Sequence, residues 1–375
     1  MINILIAGDY SPRNRVASLI DNGKYDEVFN EVLPYTKDAD FSVVNFETTL
    51  ANDSCKPIDK RGPNLKCAEK ALDALRYAGF DCVTLANNHF RDFGDNGCEL
   101  SFNALRSRGF YYVGAGMNLN EAQRILYKEI KGCRFAFCNF CEHEFTVADD
   151  THAGCNPIDL ISNYNQIREA RKKADYVIVI THGGHEHFQY PSLRMKKMSH
   201  FFIDAGADAV INHHQHCLSG FETYLDKPIY YGLGNFCFDW HRSDSWTTGA
   251  FVVLKFEESM ISSKMVLYSQ GGNNPGISIL KGEIQRAKNE EIECINSIIA
   301  DDKMLEEVCN EYYDRTEDAY LFAIEPFYNR YLRSLYIRGL YPSRLSPKRL
   351  IDLQLFFNCE SHFEHVVRII KKRLI

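Results

Sequence analysis

Residues 176–187 read YVIVITHGGHEH and residues 207–216 read ADAVINHHQH. Each stretch is a short apolar run that breaks off into histidines. Short Val- and Ile-rich runs bounded by Gly, Asn or Asp predict buried strands, here Tyr176–Thr181 and Ala209–Asn212. Seven of the 13 histidines fall between His182 and His216. One histidine on an apolar face is ordinarily a satisfied core residue. Two dense clusters at two strand tips point to metal ligands, since neutral imidazole suits Zn, Mn, Fe or Ni. Read as extended chain, His214 and His216 alternate and face one side.

Working outward, the same pattern recurs. Strands are expected at Ile2–Ala7, Phe41–Phe46, Cys82–Ala86, Tyr111–Gly114, Arg134–Phe140 and Ile229–Leu233. Between them, helices are expected at Ala68–Tyr77, Leu100–Arg108, Leu119–Tyr127, Tyr164–Lys173 and Leu193–Asp204. Such alternation predicts an α/β fold. After Gly249, Ala250–Phe256 and Met265–Tyr268 read as antiparallel strands, and from about residue 281 the pattern turns helical. The expected organisation is a domain over 1–280 and a mainly helical extension over 281–375. Near the end, Tyr328–Leu345 is rich in Tyr and Arg, and Val366–Ile375 reads as a basic amphipathic helix. Such a helix can touch membranes or acidic partners. The plainer expectation puts Val366, Ile369, Ile370 and Leu374 against the core.

In open α/β sheets, ligand sites gather beyond the carboxyl ends of the strands. Those ends carry Gly8-Asp9, Asn45-Phe46-Glu47 and Asn88-His89, with Asp92 just beyond. Alone, each reads as an ordinary turn or a solvated strand end. Joined to the histidine clusters, they form a mixed oxygen and nitrogen set. That set fits two adjacent ions better than one structural zinc, whose closed sites favour Cys and His.

Composition narrows the function classes. A net charge of -7 calls for no nucleic-acid partner, since such binders carry a basic face. The 13 cysteines are an odd number scattered through apolar runs, which reads as reduced, buried thiols of a cytosolic protein. Met1 leads directly into a strand pattern without a secretory leader, and no apolar run is long enough to span a membrane. A cytoplasmic location is the expectation.

The order Asp9, Asn45 or Glu47, Asn88-His89, His182 and His214-x-His216 resembles the motif series of the calcineurin-like metallophosphatases. Within that superfamily NFETTL, GFDCVTLANNHFRDFG, VGAGMNLNEAQR, THGGHE, GADAVINHHQH and YGLGNFCFD are similar to blocks of the poly-γ-glutamate capsule-biosynthesis (CapA) family. The resemblance covers about residues 1–255. It implies a four-layer α/β/β/α sandwich, here with a C-terminal helical extension. Ser11 stands where many metallophosphatases carry His, Gly183 where Trp is usual, and Gln215 where Pro is usual.

The resemblance implies a metal-dependent hydrolase with one or two divalent ions (Mn, Zn or Fe). Asp9, Asn45, Glu47, Asn88, His182, His214 and His216 are the expected ligands, with Asn45 and Glu47 both open as the bridge. His89 is the expected general acid or charge stabiliser, oriented by Asp92. Glu186 and His187 support the ligands or contact substrate, and Gly234 and Asn235 shape the pocket wall. The bond cleaved is a phosphoester or a γ-linked amide in a small molecule or polymer, and capsule-synthesis proteins are the expected partners. The competing expectation is a non-catalytic accessory protein of capsule polymer synthesis that keeps the metal site for structure or ligand binding.

Overall fold

The computed structural model describes residues 1–240, 243–257, 260–324, 329–358, 366–367 and 370. The chain forms two compact units, Met1–Glu306 and Glu307–Ile375.

In the first unit, the strand β1 (Ile2–Tyr10) shows how the layers arise. Its side chains alternate between faces. Ile2, Ile4 and Ile6 point into one apolar layer, and Leu5 and Ala7 into another. β1 pairs in parallel with β2 (Phe41–Phe46), which is followed by α1 (Lys70–Tyr77), β3 (Cys82–Thr84), α2 (Gly94–Ser107) and β4 (Tyr111–Val113). A second sheet begins with the hairpin β5 (Leu126–Ile130) and β6 (Cys133–Cys141). Lys131 and Gly132 turn it with φ of +50° and +80°, which suits a two-residue primed turn. The expected helix Leu119–Tyr127 therefore stops early: Asn118 caps only Leu119–Ala122, and Leu126 and Tyr127 join the hairpin strand.

The second sheet continues through α3 (Leu160–Lys173), β7 (Tyr176–His182), α4 (Leu193–Ala205) and β8 (Ala209–His213) to β9 (Phe221–Tyr224) and β10 (Lys227–Tyr230). β6, β7, β8 and β10 are parallel. The chain then returns to the first sheet with β11 (Asn235–Phe236), β12 (Thr248–Glu257), β13 (Met260–Ser269) and β14 (Ser278–Ile279). β12 and β13 pair antiparallel, and β12 lies antiparallel beside β1. Among the described residues, the order is β14-β13-β12-β1-β2-β3-β4 in one sheet, with β11 also on β1, and β9-β10-β8-β7-β6-β5 in the other.

The two sheets face each other across a layer that includes Ile4, Ile6, Phe137, Ile178, Ile180 and Ile211. Helices α1 and α2 cover the outer face of the first sheet through Leu72, Leu75 and Phe102. Ile167 of α3 and Phe202 of α4 cover the outer face of the second, joined by Ile295 and Ile299 of α5 (Gly282–Ala300). The result is the α/β/β/α sandwich. Lys196 of α4 ties α5 down: its buried ammonium donates to Ile299 O at 2.7 Å and pairs with Asp302 at 2.7 Å.

The second unit contains α6 (Arg330–Ile337) and α7 (Pro347–Asn358). Of the expected tail packing, Ile370 is exposed, and Ile369 and Leu374 lie outside the described residues. Among the described residues, no helix is long and apolar enough to cross a membrane.

Candidate metal centre

A bulge starts the site. The register between β1 and β2 slips at Gly8, so Ala7 faces Val44 but Asp9 faces Asn45. Gly8 lies against Gly234, whose carbonyl oxygen would sit 2.1 Å from any Cβ placed there. The Asp9 amide donates to that carbonyl at 3.1 Å. The Asp9 side chain is thereby held, fully buried, where the strand tips of both sheets meet. Bulges beside functional sites commonly re-aim a side chain in this way.

Around Asp9, the parallel strands bring the predicted residues together. Asn45 Nδ2 donates to Asp9 Oδ1 at 2.7 Å, and the His214 amide donates to Asp9 Oδ2 at 3.2 Å. His182 Nε2 lies 3.1 Å from both Asn88 Oδ1 and His214 Nδ1, and 3.6 Å from Glu47 Oε1. A proton on one ring nitrogen can join one such pair, whereas a cation is attracted by all four lone pairs. His216 Nε2 lies 3.4 Å from Glu47 Oε1. Two groups thus have the spacing of a metal-ligand set: Glu47, His182 and His214; and Asp9, Glu47 and His216. Glu47 belongs to both.

The two open candidates for the bridge differ. The Asn45 amide is engaged: its nitrogen holds Asp9, and its oxygen accepts from Thr84 Oγ1 at 3.2 Å and Asn87 Nδ2 at 3.3 Å. Both carboxylate oxygens of Glu47 are buried without a hydrogen-bond partner among the described residues. A buried, unpartnered carboxylate is costly, and its natural partner is a cation. That orphaned pair is the test of fit for divalent ions, and the residues present meet it.

Electrostatics agree. Burial, and next the neighbouring Glu47, push the Asp9 carboxyl up to about 7. Burial pushes Glu47 well above the usual carboxylate range, with Glu186, Glu144 and Asp92 adding to it. Burial holds His182 well below its ordinary value, reinforced by His214, His213 and His216. The site is a crowded set of groups whose metal-free protonation is strained in the direction that cation binding relieves.

His214 and His216 converge by a different route from that expected. Strand β8 ends at His213, and the two residues then adopt left-handed φ of +96° and +54°. Backbone strain of this kind in non-glycine residues gathers at functional sites. Asn235 explains the ring of His216. Its Nδ2 donates to His216 O at 3.1 Å and Trp246 O at 3.2 Å. Its Oδ1 is left to accept from His216 Nδ1 at 2.8 Å, which keeps the proton there and leaves Nε2 bare toward Glu47.

His89 and Asp92 form a second element. His89 Nδ1 sits 2.6 Å from Asp92 Oδ2, which also accepts from the Leu65 amide at 2.6 Å. Glu186 and His187 border the centre rather than enter it. Their side chains lie 3.7 Å apart and are partly exposed, and the His187 ring is 5.4 Å from Trp246.

Sequence reading missed two residues and gave a third, His213 of the second histidine cluster, no role of its own. Lys60 is buried, ion-paired with Asp92 Oδ1, and 3.1 Å from His89 Nδ1. Its KRGP setting in an irregular loop carries no signal. Glu144 Oε1 lies 3.6 Å from His214 Nε2; it stands just past the tip of β6, where the rule applied to five other strands would have found it. His213 Nδ1 lies 3.4 Å from Asp9 Oδ1, and burial pushes its imidazole down to about 3.

Residues 3–240 match the family described as bacterial capsule synthesis protein PGA_cap. The capsule biosynthesis protein CapA of Bacillus anthracis is 32% identical over 252 residues, which are 64% of this chain and 61% of that protein. The PGA biosynthesis protein CapA of Bacillus subtilis (strain 168) is 30% identical over 250 residues, 65% of each chain. A probable polyglutamine synthesis accessory protein of Mycobacterium tuberculosis is 27% identical over 209 residues, 52% of this chain and 55% of that protein. The match thus spans 61–65% of the length of the two Bacillus relatives.

Proposed function

Because the chain belongs to the bacterial capsule synthesis protein PGA_cap family, we propose that it is a divalent-metal-dependent hydrolase serving poly-γ-glutamate capsule biosynthesis. Asp9, Glu47, Asn88, His182, His214 and His216 hold one or two ions of Mn, Zn or Fe. The observation that carries this reading is the orphaned Glu47 carboxylate, shared by two ligand groups. Glu47, common to both groups, would serve either ion, and Asn45 keeps Asp9 in place. Such ions, when bound, supply Lewis acidity toward the reacting oxygen and activation of water.

The chain's own residues do the remaining work. Asp92 accepts a hydrogen bond from the Nδ1–H of His89, which turns Nε2 toward the site as the nitrogen that exchanges a proton with a leaving group. Lys60 neutralises the far side of Asp92 and keeps that carboxylate oriented. Asn235 fixes the His216 tautomer, as ligand-orienting groups do in metal sites. All twelve described cysteines are free thiols, mostly buried. That supports a reducing compartment, the cytoplasm, and hence an intracellular phosphoester ahead of a γ-linked amide as substrate.

The name of the Mycobacterium relative favours a second reading, an accessory protein that uses the metal site without catalysis and docks with capsule-synthesis proteins. His89 separates the two. Elemental analysis of chelator-free protein should find about two transition-metal equivalents, reduced in Asp9→Ala and His214→Ala together with turnover on phosphoester or γ-glutamyl substrates. His89→Gln should keep the metal and lose turnover by orders of magnitude. Retention of metal and activity in His214→Ala would sink the assignment. Full metal loading without turnover on either substrate class would leave the accessory protein.

A further inference from the structure

The second unit carries a surface that the hydrolytic centre does not use. On α6, Tyr331 and Leu335 lie one turn apart on the same side, and both are exposed. Tyr331, Ile337, Leu340, Ile351 and Phe357 each leave more than half of their surface in solvent. Single exposed apolar residues need no explanation; several large ones in two consecutive helices are a candidate contact surface.

The charge of the same segment is one-sided. Residues 329–358 contain Arg330, Arg333, Arg338, Arg344, Lys348 and Arg349, and Asp352 is their one acidic residue, in a chain of net charge -7. Arg333, Arg338, Lys348 and Arg349 are exposed and form no ion pair among the described residues. The turn between the helices is built: the Gly339 amide donates to Tyr336 O at 2.9 Å and the Leu340 amide to Leu335 O at 2.8 Å. With Gly339 at φ +67°, this helix end presents Leu340 outward.

The geometry points to an amphipathic membrane-docking surface on α6 and α7 for the anionic phospholipids of a bilayer. Arg and Lys meet lipid phosphates while Tyr, Leu, Ile and Phe enter the interfacial region. A soluble polyanion would need the cations but would leave the apolar side chains in water. A second copy would set one basic face against another. This inference rests on the second unit and is independent of the metal centre.

The test is co-sedimentation of the full chain with phosphatidylcholine vesicles containing about one third phosphatidylglycerol and with pure phosphatidylcholine vesicles. Binding should require the anionic lipid and weaken as salt is raised. The combined variant Arg333→Gln, Arg338→Gln, Lys348→Gln should lower partitioning on the order of a hundredfold. Tyr331→Ser with Leu335→Ser should lower it roughly tenfold. These side chains are exposed, so circular dichroism and metal content should match the unaltered protein. Absence of binding, equal binding to neutral vesicles, or anionic binding indifferent to the apolar variant would each overturn the proposal. In the last case, capture by soluble polyglutamate would assign the face to a polyanion instead.

Discussion

In β7, Val177, Ile178, Val179 and Ile180 are fully buried, and two residues further on His182 is buried to the same degree. The body of the strand and its tip share burial and little else. Ile178 packs in the layer between the sheets, and its backbone is flanked by β6 and β8. His182 meets Asn45, Asn88, His214 and Glu47, a set of atoms richer in lone pairs than in protons to join them. Apolar burial stabilises the fold in proportion to area. Burial of polar atoms without partners costs stability and persists where an ion makes up the deficit. On the proposed reading, function is concentrated where the sandwich is locally unfavourable, a few residues from where it is most favourable.

Substitutions on either side of that division should behave oppositely. The largest stability effect belongs to the body. Ile178→Ala leaves a cavity between the sheets and should lower unfolding free energy by about 2–5 kcal/mol. Turnover per folded, metal-loaded molecule should stay unchanged. Denaturant unfolding beside activity at saturating metal makes the measurement. A strong activity loss with little loss of stability would dissolve the distinction between body and tip.

At the tip, Glu47→Gln should stabilise the metal-free protein. Burial, then Glu186, Glu144 and Asp92, hold the Glu47 carboxyl well above its unfolded range. The native state therefore keeps a proton that the unfolded state has released. Stability from this group is present at low pH and is lost as pH rises through the folded value. The neutral amide escapes that loss. The gain should be negligible near pH 5 and reach about 1–3 kcal/mol at pH 8, by thermal unfolding in chelator. Added metal should reverse the order, because the variant lacks the shared carboxylate. Destabilisation of the metal-free variant at pH 8 would show that Glu47 is already satisfied by the protein.

The same division explains what could be read from sequence. Bodies announce themselves: Ile2–Ala7 and Tyr176–Ile180 are apolar runs whose period and length suffice, and the layers follow from alternation. Tips announce themselves when ligand residues cluster, as the histidines do after β7 and β8. Lys60 was illegible because the loop bringing it under Asp92 obeys no period. The roles of Asn45 and Glu47 were undecidable because the deciding facts are non-local: Thr84 and Asn87 occupy the Asn45 oxygen, and among the described residues none gives Glu47 a hydrogen bond. The helix expected over Leu119–Tyr127 failed for a related reason, since partners on Cys133–Phe137 outweighed local preference.

The smallest effect concerns protons released when metal enters. Burial leaves the ring of His213 neutral down to about pH 3 and keeps His182 well below its ordinary value, so these histidines bring no proton to displace near neutrality. Asp9, pushed up to about 7, does. Below that pH the metal-free carboxyl is protonated, and a cation must displace the proton. Affinity should therefore fall about tenfold per pH unit below 7 from this group and level off above it. Calorimetric titration in buffers of different ionisation enthalpy reads the effect directly, as proton release that grows as pH is lowered from 8 to about 6. Asp9→Asn should bind metal more weakly at every pH and lose the Asp9 share of that release. Proton release that does not grow between pH 8 and 6 in the unaltered protein would place Asp9 outside the ligand set and leave Glu47 with His182 and His214 as a single-ion site.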